Sequence, residues 1–516
     1  MLSVDDIRFT TYIRIVDKLG CAKDALLLAS AALRDILYVA ERNGHCGRRK
    51  SEVKHEMYKQ NGLYKIDKTV SFDNVLLRCA NYVVDAWECR FTKHMYNIEK
   101  KIAVILTKRI ESPPHWTLAN HDIEAMIDNV CASEHIVLSE SQTAALWTAL
   151  TTNTIVITGG AGVGKTTLIR IFLQIVTQFI DEDSILLLAP TGIAAHRLST
   201  LTKRRAYTIH VMLSQQSRKK TSRSIRVFVV DEISMIDSKL FLKLLDETVG
   251  HQCHLVLIGD DAQLPSIAAG NILADLKTST MLKICELREV QRQSHASGIV
   301  VNAQRVRTGL VPDLCNHSAD FEFIDSSNIK DVLRAVPDIV HRQSAQLSVN
   351  AIRDILVITH KNCDVDSLNV YLRQYFNTQA STEHDQKNIL FDGDKVMQTR
   401  NNYQKNVYNG EIGFVCKREC QCVDFEGRVL QFCEAEFRED LKLAYANTVH
   451  KSQGLEFAVV IIVLHRQPFF VTRNLLYTAI TRATRKVVLI STKTILDKIV
   501  RECAGLRCSA LKYELK

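Results

Sequence analysis

The sequence predicts an α/β chain built on parallel sheets around a nucleotide, and three observations carry that expectation. Residues Gly159-Gly160-Ala161-Gly162-Val163-Gly164-Lys165-Thr166 fit the G-x-x-x-x-G-K-[ST] pattern of a phosphate-binding loop. Apolar strands recur after it, and each ends in a polar set, which is where ligands bind in parallel α/β sheets. The second half repeats the strand theme without another complete loop, so it is expected to lend residues to the nucleotide rather than hold one itself.

Composition bounds the rest. A chain of 516 residues has room for roughly three domains. Its 46% apolar and 24% charged residues are those of a soluble globular protein. The longest apolar runs, 458–464 and 185–189, are far too short to cross a bilayer, and the N-terminus lacks a signal-type apolar segment. Fifteen scattered cysteines point to reduced thiols inside a cell, in cytoplasm or nucleus. A net charge of +9 is compatible with a polyanionic partner.

Along the chain, residues 1–110 read as a helical domain. Ala22 to Arg42 has helical spacing and Asn43-Gly44 ends it; Ala80 to Leu106 reads as a second helical run. His45, Cys46 and Arg48 to Lys50 read as a basic surface turn. Residues 111–136 read as a linker, with Pro113-Pro114 as a helix stop. Ser139 then caps a helix. Gln142, three residues on, suits either of two tasks: pairing with the hydrogen-bonding edge of adenine, or completing a capping box.

The strand Thr154 to Thr158 and the helix Thr167 to Phe179 frame the phosphate loop, so backbone N–H groups and a positive helix end face phosphate. Lys165 is expected on the β- and γ-phosphates and Thr166 on Mg²⁺. Ser184 to Ala189 is a strand ending in Pro190-Thr191-Gly192. Val227 to Val230 ends in Asp231-Glu232, and His254 to Ile258 ends in Gly259-Asp260-Asp261-Ala262-Gln263. Paired acids at a strand end suit Mg²⁺-dependent phosphoryl chemistry: Asp231 for the metal, Glu232 for the attacking water. Asp354 to Thr359, Phe457 to Val463 and Lys486 to Ile490 are the strands of the second half, and about 392–440 reads as short strands and turns.

With those residues in view the chain resembles a RecD-type DNA helicase of superfamily one, the class that moves 5′ to 3′. The resemblance rests on GGAGVGKTT (159–167), APTGIAAHRL (189–198), TIH (208–210), VVDEISM (229–235), LIGDDAQLPSI (257–267), LREVQRQ (287–293), YNGEIGFV (408–415), ANTVHKSQGLEF (446–457) and LLYTAITRA (475–483). It implies two RecA-like domains, 137–275 and 276–516, with ATP and Mg²⁺ between them. A short 1B segment at about 200–226 belongs to the first, and a small SH3-like barrel at 392–440 is inserted in the second.

By position, Gln142 reads adenine. Gly159 to Thr167, Asp231, Gly454 and Glu456 hold the nucleotide, and Thr166 and Asp231 the metal. Glu232 is the base, Gln263 the γ-phosphate sensor, and Arg292 and Arg482 the arginine fingers. Pro190, Thr191, His210, Asn409, Thr448, His450 and Lys451 contact single-stranded DNA. The resemblance further implies forked duplex as substrate, replication or recombination proteins as partners, and a monomeric motor. An RNA helicase, or a translocase that needs a partner for unwinding, stays as the alternative. Val211 to Arg226 is shorter than the strand-splitting hairpin usual in the family.

Overall fold

The N-terminal part forms around one long helix, Ala25–Arg42, because Asp24 accepts the N–H groups of Leu26 and Leu27 and Gly44 (φ 88°) leaves the helix in the left-handed region. The computed structural model describes residues 9–19, 24–59, 63–64, 66–114, 116, 118–216, 225–249, 252–289, 297–326, 328–377, 390–416, 421–465, 471–502 and 507–516. Beside the long helix lies a small antiparallel sheet of β1 (Gly47–Arg49), β2 (Val83–Ala86) and β3 (Cys89–Thr92), in the order β1-β3-β2.

That sheet corrects the expectation of one helix from Ala80 to Leu106. Val83 to Thr92 is a hairpin turning at Trp87 (φ 49°), and only Lys93–Glu111 is helical, capped by the Thr92 hydroxyl on Met95 N–H. Val83 and Val84 pair with Thr92 and Phe91 across the hairpin, Phe91 pairs onward with Gly47 of β1, and tertiary pairing overrides helical spacing.

The expected linker 111–136 is also more structured than Pro113-Pro114 suggests. It contains the helix Asn120–Glu134, which buries Ile123, Ile127 and Val130 in the core of the first α/β domain. That domain is a six-stranded parallel sheet of β4 (Thr154–Gly159), β5 (Ile185–Ala189), β6 (Ala206–Thr208), β7 (Val227–Val230), β8 (His254–Gly259) and β9 (Lys283–Leu287), in the order β6-β5-β7-β8-β4-β9. Because β9 pairs with β4 (Ile155 opposite Lys283), the sheet runs past the expected boundary at 275.

The second sheet starts with β10 (Phe321–Asp325) and β11 (Ile355–Thr359). An antiparallel unit follows: β12 (Lys395–Gln398), β13 (Ile412–Val415), β14 (Cys422–Phe425), β15 (Arg428–Gln431) and β16 (Leu441–Leu443). The chain then returns to the parallel sheet with β17 (Ala446–Thr448), β18 (Phe457–Val463) and β19 (Ala483–Ser491), giving the order β10-β19-β18-β11-β17. The inserted unit runs to Leu443, past 440, since Leu443 pairs with Val396. A buried polar group ties it to the second sheet: Arg373 meets Asp394 at 2.7 Å, and Lys395 donates to the carbonyls of Ile352 (2.6 Å) and Ile355 (3.0 Å).

The last ten residues do not stay with the second domain, as a single unit from 276 to 516 implies. They cross to the N-terminal part and the first domain. Arg507 donates to the carbonyls of Ser266 (2.7 Å) and Gly270 (2.6 Å), and buried Glu99 accepts from Ser509 Oγ (3.0 Å) and Ala510 N–H (2.6 Å). Tyr513 stacks on Trp87 with ring centroids 4.8 Å apart. The same strap covers His45 and Cys46, which corrects their reading as a surface turn: Cys46 is 1% exposed and its N–H donates to Cys508 O at 2.9 Å. Among the described residues no helix is long and apolar enough to cross a membrane.

Candidate active site

Strand β4 is buried along all six residues and delivers the chain into the phosphate loop at the C-terminal edge of its sheet. Gly162 (φ 79°) and Gly164 (φ 82°) take the left-handed conformations that let the loop curl before the helix Lys165–Val176 begins. Lys165 folds back into that curl, donating to Gly159 O (2.7 Å) and Gly160 O (2.8 Å). Val163 is buried against Gly159. A cleft of about 300 Å³ opens over the loop. Gly160 to Gly162, Gly164, Lys165, Thr166 and Thr167 form one wall, with Asp231, Glu232 and Gln263 beside them. Gly454, Glu456 and Arg482 come from the second domain.

Asp231 and Glu232 close β7. Glu232 has φ 55°, a strained conformation for a residue with a side chain, and its N–H donates to Asp231 Oδ1 at 2.9 Å. Burial, and then the neighbouring Glu232 charge, push Asp231 up to about 6. Glu232 Oε2 is buried with no hydrogen-bond partner among the described residues. Two crowded carboxylates, with the Thr166 hydroxyl on the same cleft wall, form a donor set that fits a hard divalent cation. Gln263 is buried, donates to Asp260 Oδ2 at 3.2 Å, and keeps Oε1 without a partner among the described residues.

Arg482 is buried at the opposite wall and, among the described residues, donates only to neutral oxygens: Thr478 O (3.1 Å), Leu455 O (3.3 Å) and Thr481 Oγ1 (3.3 Å). Burial pushes its pKa down, and the charges of Glu232 and Glu456 oppose that shift. Its neighbour Arg485 is exposed and does not line the cleft. Arg292 lies outside the described residues; its neighbour Arg288 is exposed. Glu456 accepts from Arg197 of the first domain at 2.7 Å, and Gly454 (φ 82°) turns the chain against Ala194.

Gln142 does not line the cleft. It is fully buried, its Oε1 accepts Ser139 N–H (3.0 Å), and its Nε2 donates to Val163 O (2.9 Å). The capping-box alternative is therefore realised, and the amide also holds the phosphate loop from behind. Three residues were not singled out from sequence. Arg197 and Tyr477 lie inside quoted motifs, which was the available signal. Arg307 lies in none; it pairs with Asp261 and Glu286 at 3.1 Å each and lines a second cavity of about 770 Å³ that shares Gly160 and Ala161 with the cleft.

The expected nucleic-acid residues lie along the C-terminal edges of both parallel sheets. Ala189 pairs with Thr208, which sets Pro190-Thr191 alongside His210, and His210 is exposed. Thr191 Oγ1 caps the following helix on Ala194 N–H (3.2 Å). Thr359 pairs with Thr448 in the second sheet. Thr448 is buried, its hydroxyl accepting Lys451 N–H (3.4 Å), so His450 and Lys451 are the exposed pair there. The inserted unit reaches across to both. A Cβ on Gly192 would sit 2.3 Å from Tyr408, and one on Gly410 2.7 Å from Ile193, leaving Asn409 exposed between them. Tyr408 is half-buried in that contact and Phe414 lies under Arg353 at 5.0 Å, so both are packed aromatics.

With this geometry in hand, three family patterns match the chain: the AAA domain over 137–328, the ATP-dependent RecD-like DNA helicase SH3 domain over 368–425, and the UvrD-like helicase C-terminal domain over 443–490. The ATP-dependent RecD2 DNA helicase of Deinococcus radiodurans is 30% identical over 402 residues, 76% of this chain and 54% of that one. The chain belongs to the RecD-type superfamily 1 DNA helicases.

This RecD-type chain is also 29% identical to the RecBCD enzyme subunit RecD of Mycobacterium tuberculosis over 414 residues, 71% of this chain and 72% of that one. A Pif1 helicase from Bacteroides, solved with ADP-AlF3 and single-stranded DNA, aligns over 70% of this chain and 94% of its own, with 22% identity and a TM-score of 0.46. The RecD-type fold here is two RecA-like sheets, an SH3-like insertion and a largely helical N-terminal part. The chain spans about half the length of the RecD2 relative.

Proposed function

We propose that this RecD-type chain is an ATP-dependent DNA helicase that translocates 5′ to 3′ on single-stranded DNA and opens forked duplex. The observation that carries the proposal is Arg482. A buried guanidinium from the second domain, bonded among the described residues only to neutral oxygens, faces a phosphate loop and two acids of the first. In this reading Lys165 leaves the Gly159 and Gly160 carbonyls for the β- and γ-phosphates, and the curled loop offers its N–H groups to the same oxygens. Thr166 and Asp231 would hold Mg²⁺, which supplies positive charge at the phosphates. Glu232 orients the attacking water and takes its proton, Gln263 turns its unpartnered Oε1 to the reacting end, and Arg482 offsets charge on the transferring phosphoryl. The arginine finger expected at Arg292 belongs to the same reading.

Arg482 and Glu456 belong to the second domain and the loop to the first, so ATP draws the two together and product release parts them. Pro190, Thr191, His210, Asn409, His450 and Lys451, on the edges of both domains, then alternate their grip along the sugar–phosphate path, and base sequence is not read. The resemblance of this chain to a protein named as a RecBCD subunit supports partners among recombination or replication proteins, inside a cell. Purified protein with ATP and Mg²⁺ on matched forks tests the proposal. Opening of the 5′-tailed fork alone is expected; opening of the 3′-tailed fork instead, or no ATP turnover on DNA, overturns it.

A further inference from the structure

The helix Arg473–Ile480 presents three polar side chains at helical spacing, and all three grip one loop of the other domain. Asn474 donates to the carbonyls of Ala262 (3.1 Å) and Gln263 (3.3 Å). Thr478 accepts Leu264 N–H at 2.9 Å. Tyr477 donates to Asp260 Oδ2 at 2.9 Å, and the same hydroxyl accepts the N–H of Ala161 in the phosphate loop at 3.1 Å. Asp260 Oδ2 is also the acceptor for Gln263 Nε2 (3.2 Å). One hydroxyl thus joins the phosphate loop, the expected γ-phosphate sensor and the second domain. The Thr478 carbonyl that follows it holds Arg482 Nε.

These groups are shielded from water: Tyr477 is 2% exposed, Asp260 0% and Gln263 5%. Hydrogen bonds in such surroundings are strong and costly to leave half-made. Burial and the Asp260 charge push the Tyr477 pKa up, so the hydroxyl keeps its proton and remains the donor to Asp260. The backbone approaches closely as well: a Cβ on Gly160 would sit 3.0 Å from Tyr477 Oη. Any shift of the phosphate loop on nucleotide binding therefore moves a group that is bonded to both Asp260 and the second domain.

We infer that Tyr477 is a positioning residue that transmits nucleotide occupancy from the phosphate loop to Gln263 and to the helix that leads into Arg482. The inference rests on the proposed ATP chemistry, but its physical content is a coupling that does not need turnover. Tyr477→Phe keeps the ring and removes both bonds. Two measurements decide it.

In amide hydrogen exchange, a bound ATP analogue is expected to protect the phosphate loop, residues 258–266 and residues 473–480 in the wild type. In Tyr477→Phe protection is expected to stop at the phosphate loop. In turnover on single-stranded DNA, the variant is expected to lose ~10-fold or more in kcat with KM for ATP changed by less than about twofold, the size of one charge-assisted hydrogen bond made to Asp260. Asp260→Asn is expected to lose a similar amount, and the double variant no more than either alone. A wild-type enzyme without ATP turnover sinks the proposed function and leaves the exchange experiment to decide the coupling. Unchanged propagation of protection in Tyr477→Phe, or additive losses in the double variant, overturns the inference.

Discussion

Arg482→Ala separates catalysis from stability in a way that few active-site substitutions do. The native guanidinium makes three hydrogen bonds of 3.1, 3.3 and 3.3 Å, all to neutral oxygens. Each is worth about 0.5–1.5 kcal/mol net, and burying the charge costs several kcal/mol. The two nearly cancel, so Arg482→Ala is expected to change the unfolding free energy by ~1 kcal/mol at most. Turnover tells a different story. A guanidinium aimed at a transferring phosphoryl group is worth about 10³–10⁵ in rate, or ~4–7 kcal/mol at about 1.36 kcal/mol per decade. Arg482→Lys is expected to fare little better, because a point ammonium cannot span Thr478 O, Leu455 O and phosphate together. The assay is phosphate release on saturating single-stranded DNA, with urea unfolding of the same preparations. A variant within tenfold of wild-type turnover, or one that loses several kcal/mol of stability with its activity, refutes the assignment.

Other outcomes follow from the same surroundings. Glu232→Gln is expected to lose about 10²–10⁴ in turnover while binding of ATP, followed by fluorescent-analogue titration, persists. Buried Asp275 is pushed up to about 8, first by burial and then by Glu99. A carboxyl raised in the folded state stabilises below its unfolded pKa and loses that contribution as pH rises. Unfolding free energy is therefore expected to fall between about pH 4 and 8, by up to ~1.4 kcal/mol per pH unit, and Asp275→Asn to flatten the slope. Buried Lys395 is pushed down to about 7, chiefly by burial. It binds its proton more weakly folded than unfolded, so it contributes a slope of opposite sign above pH 7, and Lys395→Met is expected to remove that slope without loss of the fold. Single-stranded DNA binding is expected to weaken with salt with a log–log slope of about −0.7 per phosphate contact; a salt-independent affinity refutes the backbone grip.

What the sequence made legible follows from where burial is continuous. β4, β7, β8, β11 and β18 are buried on both faces, and such strands read as unbroken apolar runs. The phosphate loop was legible because its glycines answer a local demand, the positive φ of Gly162 and Gly164. β9 was not, because an edge strand reading Lys-Ile-Cys-Glu-Leu with graded exposure resembles a loop until its partner β4 is known. The hairpin at Trp87 was missed for the converse reason: Ala80 to Leu106 contains enough helical spacing to absorb it, and only pairing with β1 decides.

The contacts that remained hidden are the ones that span the chain. Tyr477 lies 316 residues from the Ala161 N–H it accepts, and Ser509 lies 410 from Glu99. No local pattern carries such a bond. Gln142 shows the same limit in a subtler form. Capping box and adenine reader demand the same amide at the same spacing, and only folding shows that Ser139 N–H and Val163 O are its partners here. The nucleotide site is thus local in its phosphate grip and long-range in its control. The loop that cradles phosphate is written in eight consecutive residues. The groups that tell the second domain what the loop holds are assembled from 161, 260 to 264 and 474 to 482, and they exist as a unit only after folding.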